Sequence, residues 1–245
     1  MWNKTQIQQH IQASKLLLKI KDWSFKLIQN NNSITEYEVQ QFIKQKFRKL
    51  GITSSKDPPI VAFRKNTANV HYYPKRNSSQ KIRIDSLIMI DIWARLNRPK
   101  APFSDITWMA YKGNKVPKEI QQVFHVVMET RDKCINFIKK ELKKGKIPVG
   151  KDISQVTIDN IKKRGFQGKM NHYTGHGLGN TSPHGNRQSL RSSNKHPIHY
   201  NYGYTIEPGI YLENKRGIRS EIDAYITKNK KLVITTNVQK RIELV

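Results

Sequence analysis

Leu87-Ile88-Met89-Ile90-Asp91-Ile92-Trp93-Ala94 reads as a buried strand with one carboxylate in its middle. A short apolar run rich in β-branched and aromatic residues suits a strand covered on both faces. A carboxylate there is costly unless it is paired, protonated or bound to a metal ion. The anomaly recurs. Ser104-Asp105-Ile106-Thr107-Trp108 places a second Asp in a strand-like run. Tyr204-Thr205-Ile206-Glu207-Pro208-Gly209-Ile210-Tyr211 places a Glu in another, and Arg219-Ser220-Glu221-Ile222-Asp223-Ala224-Tyr225-Ile226 carries two more acids. Any one of these alone is explained as well by a buried salt bridge or an edge-strand charge. Together they point to a common task, because acids are scarce. The 245 residues include 18 Asp and Glu against 45 Lys and Arg, a formal net charge of +27.

A fifth element lies between them. In His172-Tyr173-Thr174-Gly175-His176-Gly177-Leu178-Gly179, glycines on both sides of His176 let the backbone approach closely and leave the imidazole accessible. The segment reads as a glycine-rich loop. As a phosphate cradle its spacing is weak, since no strand precedes it and no helix follows. A lone loop histidine is commonly just solvated. One imidazole with four carboxylates is a ligand set for two divalent ions, and oxygen ligands with an imidazole suit Mn, Co, Zn or Fe.

The remaining sequence bounds the answer. One cysteine, Cys134, excludes an intrachain disulfide and a thiolate metal cage. The aliphatic runs are too short to span a bilayer, and Met1-Trp2-Asn3-Lys4 leads into polar sequence rather than a signal-peptide core. A soluble cytoplasmic protein with no membrane association is expected. The basic balance would attract nucleic acid non-specifically. The charges are spread along the chain, however, with no basic tail, so a solvated basic surface is the plainer reading. Residues 5–30 read as a helix, and Thr35 with Glu38 has capping-box spacing for a second one, with Val39, Phe42, Ile43 and Phe47 on its apolar face and Gly51 at its end. Strands are expected at 60–63, 68–73, 87–94 and 105–111. Pro117 starts a long helix with Ile120, Val123, Phe124, Val127, Cys134, Ile138 and Leu142 on one face, and Asp152 caps a shorter one that Gly165 ends. The whole reads as an α+β chain, with residues 1–34 a helical extension and residues 35–245 one catalytic domain.

In order and local context these residues resemble the pita-bread metallopeptidases: aminopeptidase P, prolidase and methionine aminopeptidase. The resemblance covers about residues 35–245 and is closest to the Xaa-Pro aminopeptidase and prolidase branch. It implies the pita-bread fold and five metal ligands in the order Asp, Asp, His, Glu, Glu. Here these fall on Asp91, Asp105, His176, Glu207 and Glu221. By the same resemblance Asp91 holds one ion, His176 and Glu207 the other, and Asp105 and Glu221 bridge the pair around a shared water. Two divalent ions are implied, with Mn the first choice and Co, Zn or Fe as alternatives. Glu207 is implied as general base and proton shuttle. His71, in NVHYYP, and His184, in SPHG, would serve the substrate carbonyl, while His172 and Arg219 would fix the geometry.

The departures from the family pattern are specific. An insert with Asn97-Arg98-Pro99-Lys100 lengthens the interval between Asp91 and Asp105. Trp108 stands where an arginine is common. The interval from His176 to His184 is one residue longer than usual, and Asp223 competes with Glu221 as a ligand. The large N-terminal domain of most aminopeptidases P and prolidases has no counterpart in these residues, so a more open pocket that accepts longer peptides is expected. The implied substrate is a peptide with a free N-terminus, cut before proline, with Trp93, Trp108 and Tyr72 as surfaces for the ring. A homodimer is compatible with the resemblance. The alternatives are a methionine aminopeptidase, a pita-bread binding protein of reduced catalysis that contacts nucleic acid or ribosomes, and creatinase-like chemistry.

Overall fold

The computed structural model describes residues 1–54 and 56–245, with residues 186–188 as backbone alone. Helix α1 (Lys4–Gln29) opens on Asn3 and α2 (Glu36–Lys49) on Thr35, each through a reciprocal capping box with the residue three places on. Strands β1 (Ile52–Thr53) and β2 (Ile60–Phe63) lead into a 3-10 turn (Arg64–Ala68). Next come β3 (Ser86–Leu96), β4 (Ser104–Lys112), α3 (Lys118–Lys143) and α4 (Gly150–Lys163). Eight short strands complete the chain: β5 (Gly175–Leu178), β6 (His184–Leu190), β7 (Gly203–Ile206), β8 (Gly209–Leu212), β9 (Arg216–Arg219), β10 (Ile222–Ile226), β11 (Leu232–Ile234) and β12 (Glu243–Leu244). No helix among the described residues is long and apolar enough to cross a membrane.

Two five-stranded sheets organise these elements. The first follows β1-β3-β4-β12, with β2 also on β3; the second follows β11-β10-β7-β5-β6. Strand β3 shows why the first sheet needs helices on both sides. Its even residues Ile88, Ile90 and Ile92 pack with Leu17, Ile20 and Phe25 of α1 and Val39 and Ile43 of α2. Its odd residues Leu87, Met89 and Trp93 pack with Ile120, Val123, Phe124 and Val127 of α3. The period of two puts Asp91 on the α3 side. Helix α3 then continues to the second sheet, where Cys134, Ile138 and Leu142 meet Ile153 of α4 and Tyr204, Ile206 and Ile222.

The edge of β4 away from β3 joins the two sheets. Main-chain pairing with β12 is confined to Ala110 and Tyr111. Elsewhere the edge is satisfied mostly by side chains: Gln239 Oε1 accepts from the Met109 N–H at 3.0 Å while its Nε2 donates to the Met109 carbonyl at 2.7 Å. Phe103 N–H donates to the Gly179 carbonyl at 2.9 Å. A buried edge must be paired group by group, and here the partners come from the other half of the molecule.

Three sequence expectations are corrected. Residues 68–73 form no strand; the segment curls from the 3-10 turn around the carboxylate of Glu36. That fully buried group accepts from Phe63 N–H (2.6 Å), Gln80 N–H (2.8 Å), the Tyr72 hydroxyl (2.6 Å) and the Asn66 amide (3.0 Å). Asp152 lies inside the first turn of α4, which begins at Gly150, rather than at its cap. His176 sits in a strand, β5, not in a loop: Gly175 passes so close to β7 that a Cβ there would lie 2.1 Å from the Thr205 carbonyl oxygen.

Helix α1 contributes to the core as fully as the sheet does, so Leu17→Ala should lower stability by about 2–5 kcal/mol. Denaturant unfolding of the variant checks this, and a midpoint equal to that of the parent would show that α1 is not part of the cooperative unit.

Candidate active site

The five expected ligands come from five places in the chain. Asp91 lies in β3, Asp105 in β4 and His176 in β5, while Glu207 follows β7 and Glu221 precedes β10. All five line one cavity of about 420 Å³, together with His71, His172, His184 and Arg219. Ligand atoms of Asp105, His176 and Glu221 lie within 4.8 Å of one another. His176 Nε2 is 3.4 Å from Glu207 Oε1 and 3.7 Å from Asp105 Oδ2. Asp91 pairs with the Arg219 guanidinium.

Supporting contacts fix each group. The Thr107 hydroxyl donates to Glu221 Oε2 at 2.7 Å and accepts from Arg219 Nε at 3.0 Å, so one threonine links the last ligand candidate to the arginine. Thr205 Oγ1 accepts the His176 N–H and donates to Glu207 Oε1, both at 2.9 Å. Buried Arg131, from α3, donates to Ser220 Oγ at 2.7 Å and to the Gln239 carbonyl at 2.9 Å, anchoring the turn that carries Glu221. His172 Nδ1 lies 2.8 Å from the Tyr173 carbonyl and its Nε2 lies 2.8 Å from the Tyr211 hydroxyl, which fits a neutral ring protonated on Nδ1. The sequence reading missed Thr107, Thr205, Tyr211 and Arg131. Their residue types are ordinary in strands and helices, so no local signal marked them.

The electrostatics are severe. Burial pushes Asp105 well above the carboxylate range, and the charges of Glu221 and Asp91 add to it; Glu221 is raised by burial and by Glu207 and Asp91. Burial, against the attraction of Arg219, raises Glu207 to about 7. Burial lowers His176 to about 4, and burial with Arg219 lowers His172 to about 3. Burial opposes the charge on Arg219, yet Asp91, Tyr211 and Glu221 hold the guanidinium protonated.

These residues fit divalent metal ions on three counts. His176 Nδ1 lies 3.1 Å from the Gly177 carbonyl, so the proton belongs there and the Nε2 lone pair faces the carboxylates. Two sets of acceptors facing each other repel unless a cation stands between them. Asp105 Oδ1 is buried with no hydrogen-bond partner. The donor set of carboxylates and one imidazole is that of a hard or borderline ion.

Other expected residues are placed as follows. His184 is exposed at the cavity mouth, its ring centroid 4.2 Å from that of His176, after a 179–183 turn closed by Gly179 N–H on the Pro183 carbonyl. His71 is exposed at the rim. Asp223 does not line the cavity; it lies behind Asp105, fully buried, and burial raises it to about 8. Trp93 lines the cavity. Trp108 faces the other way, under α1, with Lys21 Nζ 4.0 Å from its ring centroid, and Tyr72 turns to Glu36, leaving Tyr73 as the aromatic on that wall.

The chain belongs to metallopeptidase family M24, whose model matches residues 8–228. It is similar to a Staphylococcus haemolyticus protein named as an uncharacterized peptidase, at 27% identity over 233 residues, covering 95% of this chain and 62% of that protein. A similarly named Staphylococcus aureus peptidase is 28% identical over 202 residues, 82% of this chain and 53% of its own length. The chain thus spans somewhat more than half the length of these curated relatives. Among solved structures, the X-Pro aminopeptidase of Thermotoga maritima superposes with a TM-score of 0.87 at 25% identity, covering all of this chain and 64% of that one. A prolidase of Thermococcus sibiricus gives 0.86 at 26%, again over all of this chain and 62% of its own. The fold is the pita-bread arrangement of these proteins, with helices at the N-terminus.

The crowding of charge has a measurable consequence in metal-free protein. A carboxylate whose native pKa exceeds its unfolded value binds extra protons when folded, so its stabilising effect is lost as pH rises through the native pKa. The buried histidines, held below 6.5, act in the opposite sense but only up to that pH. Between 6.5 and 8, Glu207 and Asp223 titrate without that offset. The melting temperature of metal-free protein should therefore fall across this window, and a divalent ion added at the upper end should restore it. A flat or rising melting temperature would contradict the account of the cavity.

Proposed function

We propose that this chain is a dinuclear metal-dependent aminopeptidase that hydrolyses an N-terminal peptide bond, with preference for Xaa-Pro. The observation that carries the reading is the convergence of four carboxylates and one imidazole lone pair on a single cavity. Asp91 would hold one ion, His176 with Glu207 the other, and Asp105 and Glu221 both; Mn is the proposed metal. When bound, such ions polarise a carbonyl and acidify a water molecule.

The chain's own residues supply the rest. Glu207, steadied by Thr205, accepts the proton of the attacking water and passes it to the leaving nitrogen. His71 and His184, exposed at the rim, donate hydrogen bonds to the carbonyl oxygen as its charge grows. Arg219 orients Asp91 and Thr107, and His172 is locked between the Tyr173 carbonyl and the Tyr211 hydroxyl, so these two shape the cavity rather than transfer protons. Proline presents a tertiary amide with no N–H, so a site for it must grip the carbonyl, the free amine and the ring. Trp93 and Tyr73 offer apolar walls for the ring.

The test is the ratio of kcat/KM for an Xaa-Pro-leading peptide to that for the matching Met-Ala-leading peptide, with Glu207→Gln as the background. The ratio should exceed one, and the variant should lose turnover while keeping its fold. A ratio well below one replaces the proline reading with a methionine aminopeptidase. A variant with most of its activity removes Glu207 from the role of base.

A further inference from the structure

Asp105 is held from behind. Its N–H points off the β4 edge, where no strand pairs it, and donates to Asp223 Oδ2 at 2.9 Å; the Ser104 hydroxyl donates to the same oxygen at 2.7 Å. Asp223 belongs to β10 of the other sheet and is itself pinned. Its N–H donates to Thr236 Oγ1 at 2.8 Å, and its carbonyl accepts from the Thr235 N–H at 2.9 Å. Beyond it stands His10 of α1, 1% exposed. His10 Nδ1 lies 2.8 Å from the Phe103 carbonyl, its Nε2 2.7 Å from Thr235 Oγ1 and 3.8 Å from Asp223 Oδ2. Ser14, one turn further along α1, donates to the Thr235 carbonyl at 3.0 Å.

We propose that Asp223 and His10 are positioning residues for Asp105: a buried clamp from α1 through Thr235 and Asp223 fixes the β4 backbone so that the Asp105 carboxylate meets His176 and Glu221. This rests on the reading of Asp105 as a metal ligand. The backbone is the available lever, because Asp105 Oδ1 has no hydrogen-bond partner. An unpaired buried N–H at this edge would drive a local shift to find another acceptor. The same contacts favour Glu221 over Asp223 as the ligand, although Asp223 Oδ1 is itself buried with no hydrogen-bond partner. Asp223 Oδ2 already accepts two donors and the residue does not line the cavity, whereas Glu221 lines it within ligand reach of His176. It also makes α1 part of the site's support: Phe103 and Thr235, on either side of the clamp, are both tied to His10.

The test is Mn²⁺ calorimetry on the full metal-free chain, with amide exchange at Asp105 measured alongside. Asp223→Ala should weaken Mn²⁺ binding by about 10–100-fold, the range for loss of a group that orients a ligand. It should also speed exchange of the Asp105 amide before any metal is added. Asp223→Asn keeps an oxygen for the Ser104 hydroxyl and the Asp105 N–H, so it should recover most of the affinity. His10→Ala, remote from the ligands, should weaken binding in the same direction. Folded Asp223→Ala with parental affinity would overturn the proposal, as would Asp223→Asn that binds no better than Asp223→Ala. If Asp223→Ala does not fold, parental affinity in His10→Ala overturns it. A parent chain that binds no Mn²⁺ would overturn the ligand reading beneath it, a result distinct from a variant that matches a metal-binding parent.

Discussion

The repulsion among Asp91, Asp105, Glu207 and Glu221 is the constraint around which the molecule is arranged. Four carboxylates face one cavity, and Arg219 is bonded to only one of them. Removing such charges from water is far more costly than any single hydrogen bond can offset. The chain answers with Thr107, Thr205 and Arg219 bonds to the cluster and with an imidazole whose protonated nitrogen is turned away. What these leave unsatisfied is positive charge, which a divalent ion would supply in compact form.

The convergence of these groups is reflected in the architecture. The two five-stranded sheets let ligand candidates from β3 and β4 face those from β5, the end of β7 and the start of β10. Helix α3 spans both, with Phe124 packed on the first sheet and Ile138 on the second. The seam is closed by side chains where strands would not fit: Gln239 at Met109, Asp223 at Asp105, Thr107 to Glu221.

Much of this was legible in the sequence, for a physical reason. An acid within Leu87–Ala94 breaks the hydrophobic pattern, and the same break in three further segments points to a shared site. The apolar periods of α1, α2 and α3 were equally plain, since each helix buries one stripe. The rest was hidden because it depends on contacts distant in sequence. Glu36 looks like an ordinary first-turn acid, yet it gathers residues 63–80 and so overrides the strand expected at 68–73. His10 carries no motif. Trp108 lies one residue beyond Thr107 and therefore on the opposite face of β4, which strand alternation allowed but did not orient. His176 sits in a strand because the glycine beside it lets β7 come close, a use of glycine that resembles a loop when read alone.

The central claim is that the buried carboxylates exist to hold cations. Its most direct measurement is the number of Mn²⁺ ions bound per chain near neutral pH, by metal analysis of protein dialysed to equilibrium. The account predicts two. A chain that stays folded and binds none, keeping its cavity acids neutral by protonation instead, would contradict it.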